Sequence, residues 1–126
     1  MEIKPTCVTF EQAKLFNDKG FDIPVRAMYH HDELIYGGVP YNHNNKEEQK
    51  LWSCVKVSAP EQWQVIEWLR INYRIWISIS PSISNQFEYI IYSMDSIISS
   101  GKYSSNYNSP QEAYSAAFDY ILHNII

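Results

Sequence analysis

The 126-residue chain holds only two cysteines, Cys7 and Cys54, and neither sits in a CxxC pair or a Cys/His spacing. Neither a zinc module nor a disulfide framework is therefore written into it. Basic residues are also scarce: 10 Lys and Arg against 14 Asp and Glu give a formal net charge of -4 and a pI near 5.5. A general nucleic-acid binder needs a basic face to neutralise phosphates, so that class is disfavoured, although so mild an imbalance is compatible with a local basic patch. No apolar run approaches the roughly 18 residues that mark a membrane-spanning helix. The opening Met1-Glu2-Ile3-Lys4-Pro5 lacks the apolar core of a secretory leader. These absences lead us to expect a soluble, cytoplasmic chain with free thiols. Nucleophile elbows, phosphate loops and specific metal motifs are missing as well.

The plainest positive signal is the last stretch, SPQEAYSAAFDYILHNII, from Ser109 to Ile126. Ser109 as N-cap, Pro110 at the first helical position and Glu112 three residues past the cap predict a helix start. Ala113, Ala116, Ala117 and Tyr120 fall on one stripe, widened by Tyr114, Phe118, Ile121, Leu122 and Ile125, so the helix should close a core. An earlier capping box, Thr9-Phe10-Glu11-Gln12, opens a short helix that Gly20 stops. Val25 to His30 and Leu34 to Gly37 bracket the polar tip His31-Asp32-Glu33 as a hairpin, ended by Gly37-Gly38. Residues 41–48 are polar and asparagine-rich, reading as a surface loop that starts a short helical turn.

Leu51 to Val57 alternates weakly and reads as a strand. Ser58-Ala59-Pro60-Glu61 then opens a helix with Gln62, Val65, Ile66 and Leu69 inward and Trp63 and Trp68 flanking them. From Arg74 the period changes to two: Ile75, Ile77 and Ile79 face one side, Arg74, Trp76, Ser78 and Ser80 the other, as in a half-buried antiparallel strand. Pro81 to Asn85 makes a turn, Phe87 to Met94 returns, and Ser96 to Ser100 supplies a shorter third strand.

The length suits one α+β domain, 1–126, with an antiparallel sheet, helices mainly on one face and the order helix, strands, helix, strands, helix. Helix starts near Thr9, Ala59 and Ser109 are about 50 residues apart and similar in local text. An internal αβββ duplication with sub-modules 1–58 and 59–126 would explain this, and so would capping chemistry that makes unrelated helix starts converge.

The second half, from VIEWLR through IWISIS to the tail SPQEAYSAAFDYILHNII, resembles small uncharacterised proteins of Bacteroides-type bacteria and their phages or prophages. The resemblance covers residues 59–126. It implies a compact phage-related or mobile-element protein and supplies no activity, cofactor or catalytic residue.

Aromatic residues make up 15% of the chain, including ten tyrosines, which exceeds the needs of a small core and suits a contact surface. Trp63, Trp68, Trp76 and Tyr92 are the candidate contact residues, for a protein partner or a second copy. A wet, tyrosine-rich sheet face is the alternative explanation for the surplus. His30, His31, Asp32 and His43 form the nearest approach to a metal cluster, yet adjacent strand residues point to opposite faces, so exposed histidines at a hairpin tip explain them better. Cys54 in a strand packs as a small hydrophobe, and Glu61, Glu67, Glu88 and Asp119 are scattered over surface and cap positions. His123 stands one turn from Asp119, as a helical pair would. We accordingly expect no catalytic, metal or cofactor site. The rival class is nucleic-acid binding, because the αβββα order is that of double-stranded RNA-binding domains and Trp76 and Tyr92 could stack on bases. That analogy wants lysines at the start of the last helix, and none stand there.

Overall fold

The computed structural model describes residues 4–51, 56–94, 97–100 and 106–126. In chain order it contains α1 (Phe10–Asp18), β1 (Val25–His30), β2 (Glu33–Tyr41), α2 (Lys46–Leu51), β3 (Lys56–Ser58), α3 (Gln62–Tyr73), β4 (Ile75–Pro81), β5 (Phe87–Ser93), β6 (Ile97–Ser100) and α4 (Pro110–Asn124). The fold is α+β. Its strands form two three-stranded antiparallel sheets where the sequence suggested one. The chain divides into two units, Met1–Glu61 and Gln62–Ile126.

In the first unit, the Thr9 hydroxyl accepts from the Gln12 N–H at 3.2 Å while the Gln12 side chain accepts from the Thr9 N–H at 3.0 Å. This reciprocal cap contributes about 1 kcal/mol to α1. The helix ends at Gly20, whose φ of 91° is a left-handed conformation that only glycine adopts cheaply. Ala13 and Phe16 of α1 are buried, as are Val8, Phe21, Val25, Ala27, Tyr29 and Val57, and α1 rests on β3. Tyr29 keeps its buried hydroxyl satisfied by donating to the Val8 carbonyl at 2.8 Å.

The hairpin forms around His31 and Asp32, with His31 at φ 56°. Its second strand does not end at Gly37-Gly38 but continues to Tyr41. The ladder slips between Ala27, which faces Tyr36, and Val25, which faces Tyr41. The glycine pair thus lies inside a bulge, where extra residues of β2 loop past Arg26. The predicted strand from Leu51 is also shorter: Leu51 ends α2, and β3 begins at Lys56. Trp52, Cys54 and the rest of 52–55 lie outside the described residues, as do 95–96, hence the start of the strand expected from Ser96, and the 101–105 part of the polar linker.

The helix expected from Ala59 starts three residues later, at Gln62. Residues 59–61 are drawn into extended pairing instead: Ala59 N–H donates to the Ala27 carbonyl and Val8 N–H to the Pro60 carbonyl, each at 2.9 Å, and Glu61 bridges Cys7. The two sheets are also wired differently. In the order β2-β1-β3 the first strand is central, whereas in β4-β5-β6 the second strand is central. The strand pairing of one unit is therefore not a copy of the other's.

In the second unit, α4 starts as its sequence dictates, the Ser109 hydroxyl accepting from the Glu112 N–H at 3.1 Å. Its buried arc is Ala113, Ala117, Phe118, Ile121 and Leu122, while Ala116 and Tyr120, placed on the central stripe from sequence, are half-buried at its margin. The small alanines let α4 lie close to β4 and β5, and α3 packs against β4. Together these helices cover the face carrying Ile75, Ile77, Tyr89 and Ile91, all buried. Withdrawing a side chain such as Phe118 from water contributes roughly 1.5–3 kcal/mol. Just ahead of α4, Tyr107 exchanges two backbone hydrogen bonds with Phe87, at 2.7 and 3.0 Å, which fixes the helix entry to the start of β5. Among the described residues no helix is long and apolar enough to cross a membrane.

Candidate functional site: the helix-free face of the second sheet

Period-two alternation puts Ile75, Ile77, Tyr89 and Ile91 under the helices, so the even-numbered residues of β4 and β5 share the other face. Register sets their rows: Trp76 stands opposite Tyr92, Ser78 opposite Ile90, and Ser80 opposite Glu88. On the third strand Ile97 pairs with Tyr92, after a slip in the ladder that leaves Ile98 as the extra residue. One row of large apolar side chains, Trp76, Tyr92 and Ile97, therefore crosses all three strands. Trp76 is 44% exposed and Ile97 63%.

Beyond the paired stretch, Arg74 and Met94 stand at the end of the sheet where α3 passes into β4. α3 ends here by an unusual stop, since Arg74 takes a φ of 56° and donates its N–H to the Arg70 carbonyl at 3.2 Å. That is the left-handed position after a helix that glycine usually fills. Arg70, Ile71, Arg74 and Met94 line an open depression of about 390 Å³. Ile71 and Met94 are exposed. Arg70 is engaged with Glu67 through two hydrogen bonds, at 3.1 and 2.8 Å. Arg74 has no ion-pair partner among the described residues.

Of the four aromatic residues picked from sequence, the structure brings together Trp76 and Tyr92. Trp63 is exposed on α3. Trp68, by contrast, is not at a contact surface: it is 6% exposed, on the buried face of α3 with Gln62, Val65 and Leu69, its ring meeting Tyr73 edge-on at 5.3 Å. Ile66, expected inward, is half-buried. Ile71, Met94 and Ile97 were not singled out from sequence. For Ile97 the signal would have been the pairing of Tyr92 with the third strand.

The remaining polar clusters sit in the first unit. The Cys7 sulfur lies 3.1 Å from the Tyr36 hydroxyl. Burial pushes the Cys7 thiol up, the Tyr36 hydrogen bond opposes this and the Glu61 carboxylate adds to it; the same hydrogen bond, then burial, pushes Tyr36 up to about 12. A thiol held protonated is a poor nucleophile. The rings of His30 and His31 touch edge-on at 4.8 Å, the turn at His31 having redirected one of them. Among the described residues no group of three or more His, Cys, Asp or Glu side chains converges as a metal ion would require.

His43 packs against Tyr41, its ring 5.0 Å away, and its Nδ1 is buried without a hydrogen-bond partner. Burial pulls its pKa below 6.5, the Lys56 cation adds to this and the Glu48 carboxylate opposes it. The unfolded chain then binds more protons than the folded one just below pH 6.5. Stability is therefore complete above that value and falls as the pH drops through the lowered one. Urea unfolding from about pH 7 down to about pH 5 should show this loss, and His43→Asn should reduce it. An unchanged slope in the variant would remove His43 as the cause.

A 440 Å³ depression is lined by Asn17, Asn42, Asn44, Asn45 and Lys46 together with Phe21. Lys46 already donates to the Asn17 side chain there at 2.7 Å. The edge strand β2 exposes all nine of its residues. Pro40, which has no N–H, and the bulge at the glycine pair blunt it as a template for strand addition.

Compared with protein-family models, characterised proteins and solved structures, the chain matches none.

Proposed function

We propose that the chain is a non-enzymatic association module, binding a protein partner or another copy of itself through the helix-free face of β4, β5 and β6. The observation that carries this reading is the row Trp76, Tyr92 and Ile97 across all three strands, in which half-buried Tyr92 lies between exposed Trp76 and Ile97. Aromatic anchors in such a setting carry most of the energy of an interface. The likeness of residues 59–126 to small proteins of Bacteroides-type bacteria and their phages supports a phage or mobile-element setting in the cytoplasm. Native mass spectrometry on gently purified protein should find a complex of fixed stoichiometry. Trp76→Ala should weaken that complex about thirtyfold or more while leaving the fold intact. A bare monomer at all concentrations, or a complex indifferent to both Trp76 and Tyr92, would remove the reading.

A second reading has one observation in its favour. The unit α3-β4-β5-β6-α4, with both helices on one sheet face, follows the order of double-stranded RNA-binding domains. This is an analogy of fold. The start of α4 offers Ser109, Pro110, Gln111 and Glu112, a carboxylate where phosphate contacts would need cations. A salt-sensitive shift with an RNA duplex would favour it.

A further inference from the structure

We propose that residues 43–49 form a strap that masks the outer edge of β3, latched while His43 is neutral and released when His43 is protonated.

Register defines that edge. The Ala59 N–H donates to the Ala27 carbonyl, so in this antiparallel pair the backbone groups of Ala59 and Val57 point to β1 and those of Ser58 and Lys56 point away from it. β3 is the last strand of its sheet, yet the Ser58 N–H and the Lys56 carbonyl are both taken. Asn44 Oδ1 accepts from the Ser58 N–H at 2.9 Å, and the Gln49 side-chain amide donates to the Lys56 carbonyl at 3.0 Å. Two side-chain amides, one accepting and one donating, thus stand where the backbone of a fourth strand would. The strap is fastened further by the His43 N–H on the Ser58 hydroxyl, by Asn44 on the Phe21 carbonyl and by Lys46 on the Asn17 side chain. Its sequence, HNNKEEQ, contains no aliphatic side chain, so hydrogen bonds rather than a buried apolar face hold it down. A segment held in that way opens locally while the sheet beneath it stays folded.

His43 is the only residue type in the strap whose charge changes near neutral pH. Its Nδ1 is buried without a hydrogen-bond partner, a position that suits the lone pair of a neutral ring. The imidazolium would place an N–H there with nothing to accept it. The Lys56 cation of β3 repels such a ring. The Glu48 carboxylate of α2 attracts it, but that carboxylate already accepts from the Tyr41 hydroxyl of β2. Burial and Lys56 outweigh Glu48, which keeps His43 below its ordinary value while the strap is closed. Opening returns the ring to water, where it takes up a proton more readily. The open strap is therefore favoured as the pH falls below 6.5, and it leaves the edge of β3 bare.

Hydrogen exchange of the full chain, followed amide by amide by NMR and corrected for the intrinsic rate at each pH, tests this. Ser58 reports the strap and Ala59 reports the sheet beneath it. At pH 7 the Ser58 N–H should be at least about tenfold less protected than that of Ala59, because the strap opens without unfolding the sheet. Between about pH 7 and pH 5 Ser58 should lose about tenfold more, the effect of one buried donor left unmatched. His43→Asn should remove this second loss. Lys56→Gln, which takes away the repelling cation and keeps the ring, should reduce it, and Glu48→Gln should enlarge it. Equal protection of Ser58 and Ala59 at every pH would mean that residues 43–49 open only when the whole unit unfolds, and the strap is overturned. Protection of Ser58 that does not change with pH overturns the release. A loss that persists in His43→Asn or, where that variant does not fold, ignores both Lys56→Gln and Glu48→Gln, overturns His43 as the latch.

Discussion

Replacing Trp68 by alanine lowers the free energy of unfolding by about 3–5 kcal/mol, the range for removing a large aromatic side chain from a packed interior. Trp68 is 6% exposed, and its ring is fixed edge-on against Tyr73. The surroundings are helix α3 and the strand it covers, so the cavity has little freedom to collapse. Trp63 lies five residues earlier on the same helix, and its alanine variant should change stability by no more than about 0.5 kcal/mol, because that side chain is 59% exposed. Guanidinium denaturation of the two variants side by side reads the difference as a shift in midpoint at unchanged slope. Equal, small effects would mean that Trp68 is not a core residue and would return it to the contact surface.

Asn44→Ala should cost about 2–4 kcal/mol by a different route. Asn44 is 5% exposed in a segment otherwise made of polar surface residues. Its Oδ1 accepts from the Ser58 N–H at 2.9 Å and its amide nitrogen donates to the Phe21 carbonyl at 2.8 Å. The Ser58 hydroxyl in turn accepts from the His43 N–H at 2.9 Å. One side chain thus ties the segment before α2 both to β3 and to the turn after α1. Alanine leaves a buried donor and a buried acceptor unmatched. Asn44→Asp keeps the acceptor but presents an oxygen to the Phe21 carbonyl, so it should be destabilised as well. An alanine variant within about 0.5 kcal/mol of the parent would show that water replaces the amide without loss.

These two residues also mark where sequence reasoning succeeds and fails. Local signals were legible because their physics is local. The Ser109-Pro110 start of α4, the Thr9 capping box and the alternation after Arg74 each depend on neighbours a few residues away. From that alternation the pairing of Trp76 with Tyr92 on one face nearly follows. What could not be read depends on distant partners. Residues 59–61 carry good helix-start chemistry, yet backbone pairing with Ala27, Val8 and Cys7 holds them extended. Trp68 shares the buried face of α3 with Gln62, Val65 and Leu69, and which side of the stripe is covered is set by the packing around the helix. Asparagine favours turns, and nothing in the run Asn42-His43-Asn44-Asn45 distinguishes the one whose amide fits two buried backbone groups. Gly37-Gly38 reads as a terminator by the same local logic, whereas the slip against Arg26 makes it the interior of a strand.

The different wiring of the two sheets has a consequence for the order in which they form. In β4-β5-β6 each strand pairs with its neighbour in sequence, so Ile90 meets Ser100, only ten residues on. In β2-β1-β3 the last strand must return past the hairpin and α2 to bring Val57 against Tyr29. Closing the longer loop costs roughly 1 kcal/mol more in chain entropy before any pairing offsets it. By the dependence of rate on contact separation, the second sheet assembles early and the short β3 joins late. Asn44, which holds the β3 end in place, then makes its hydrogen bonds on the native side of the barrier, and its loss should appear mainly as faster unfolding.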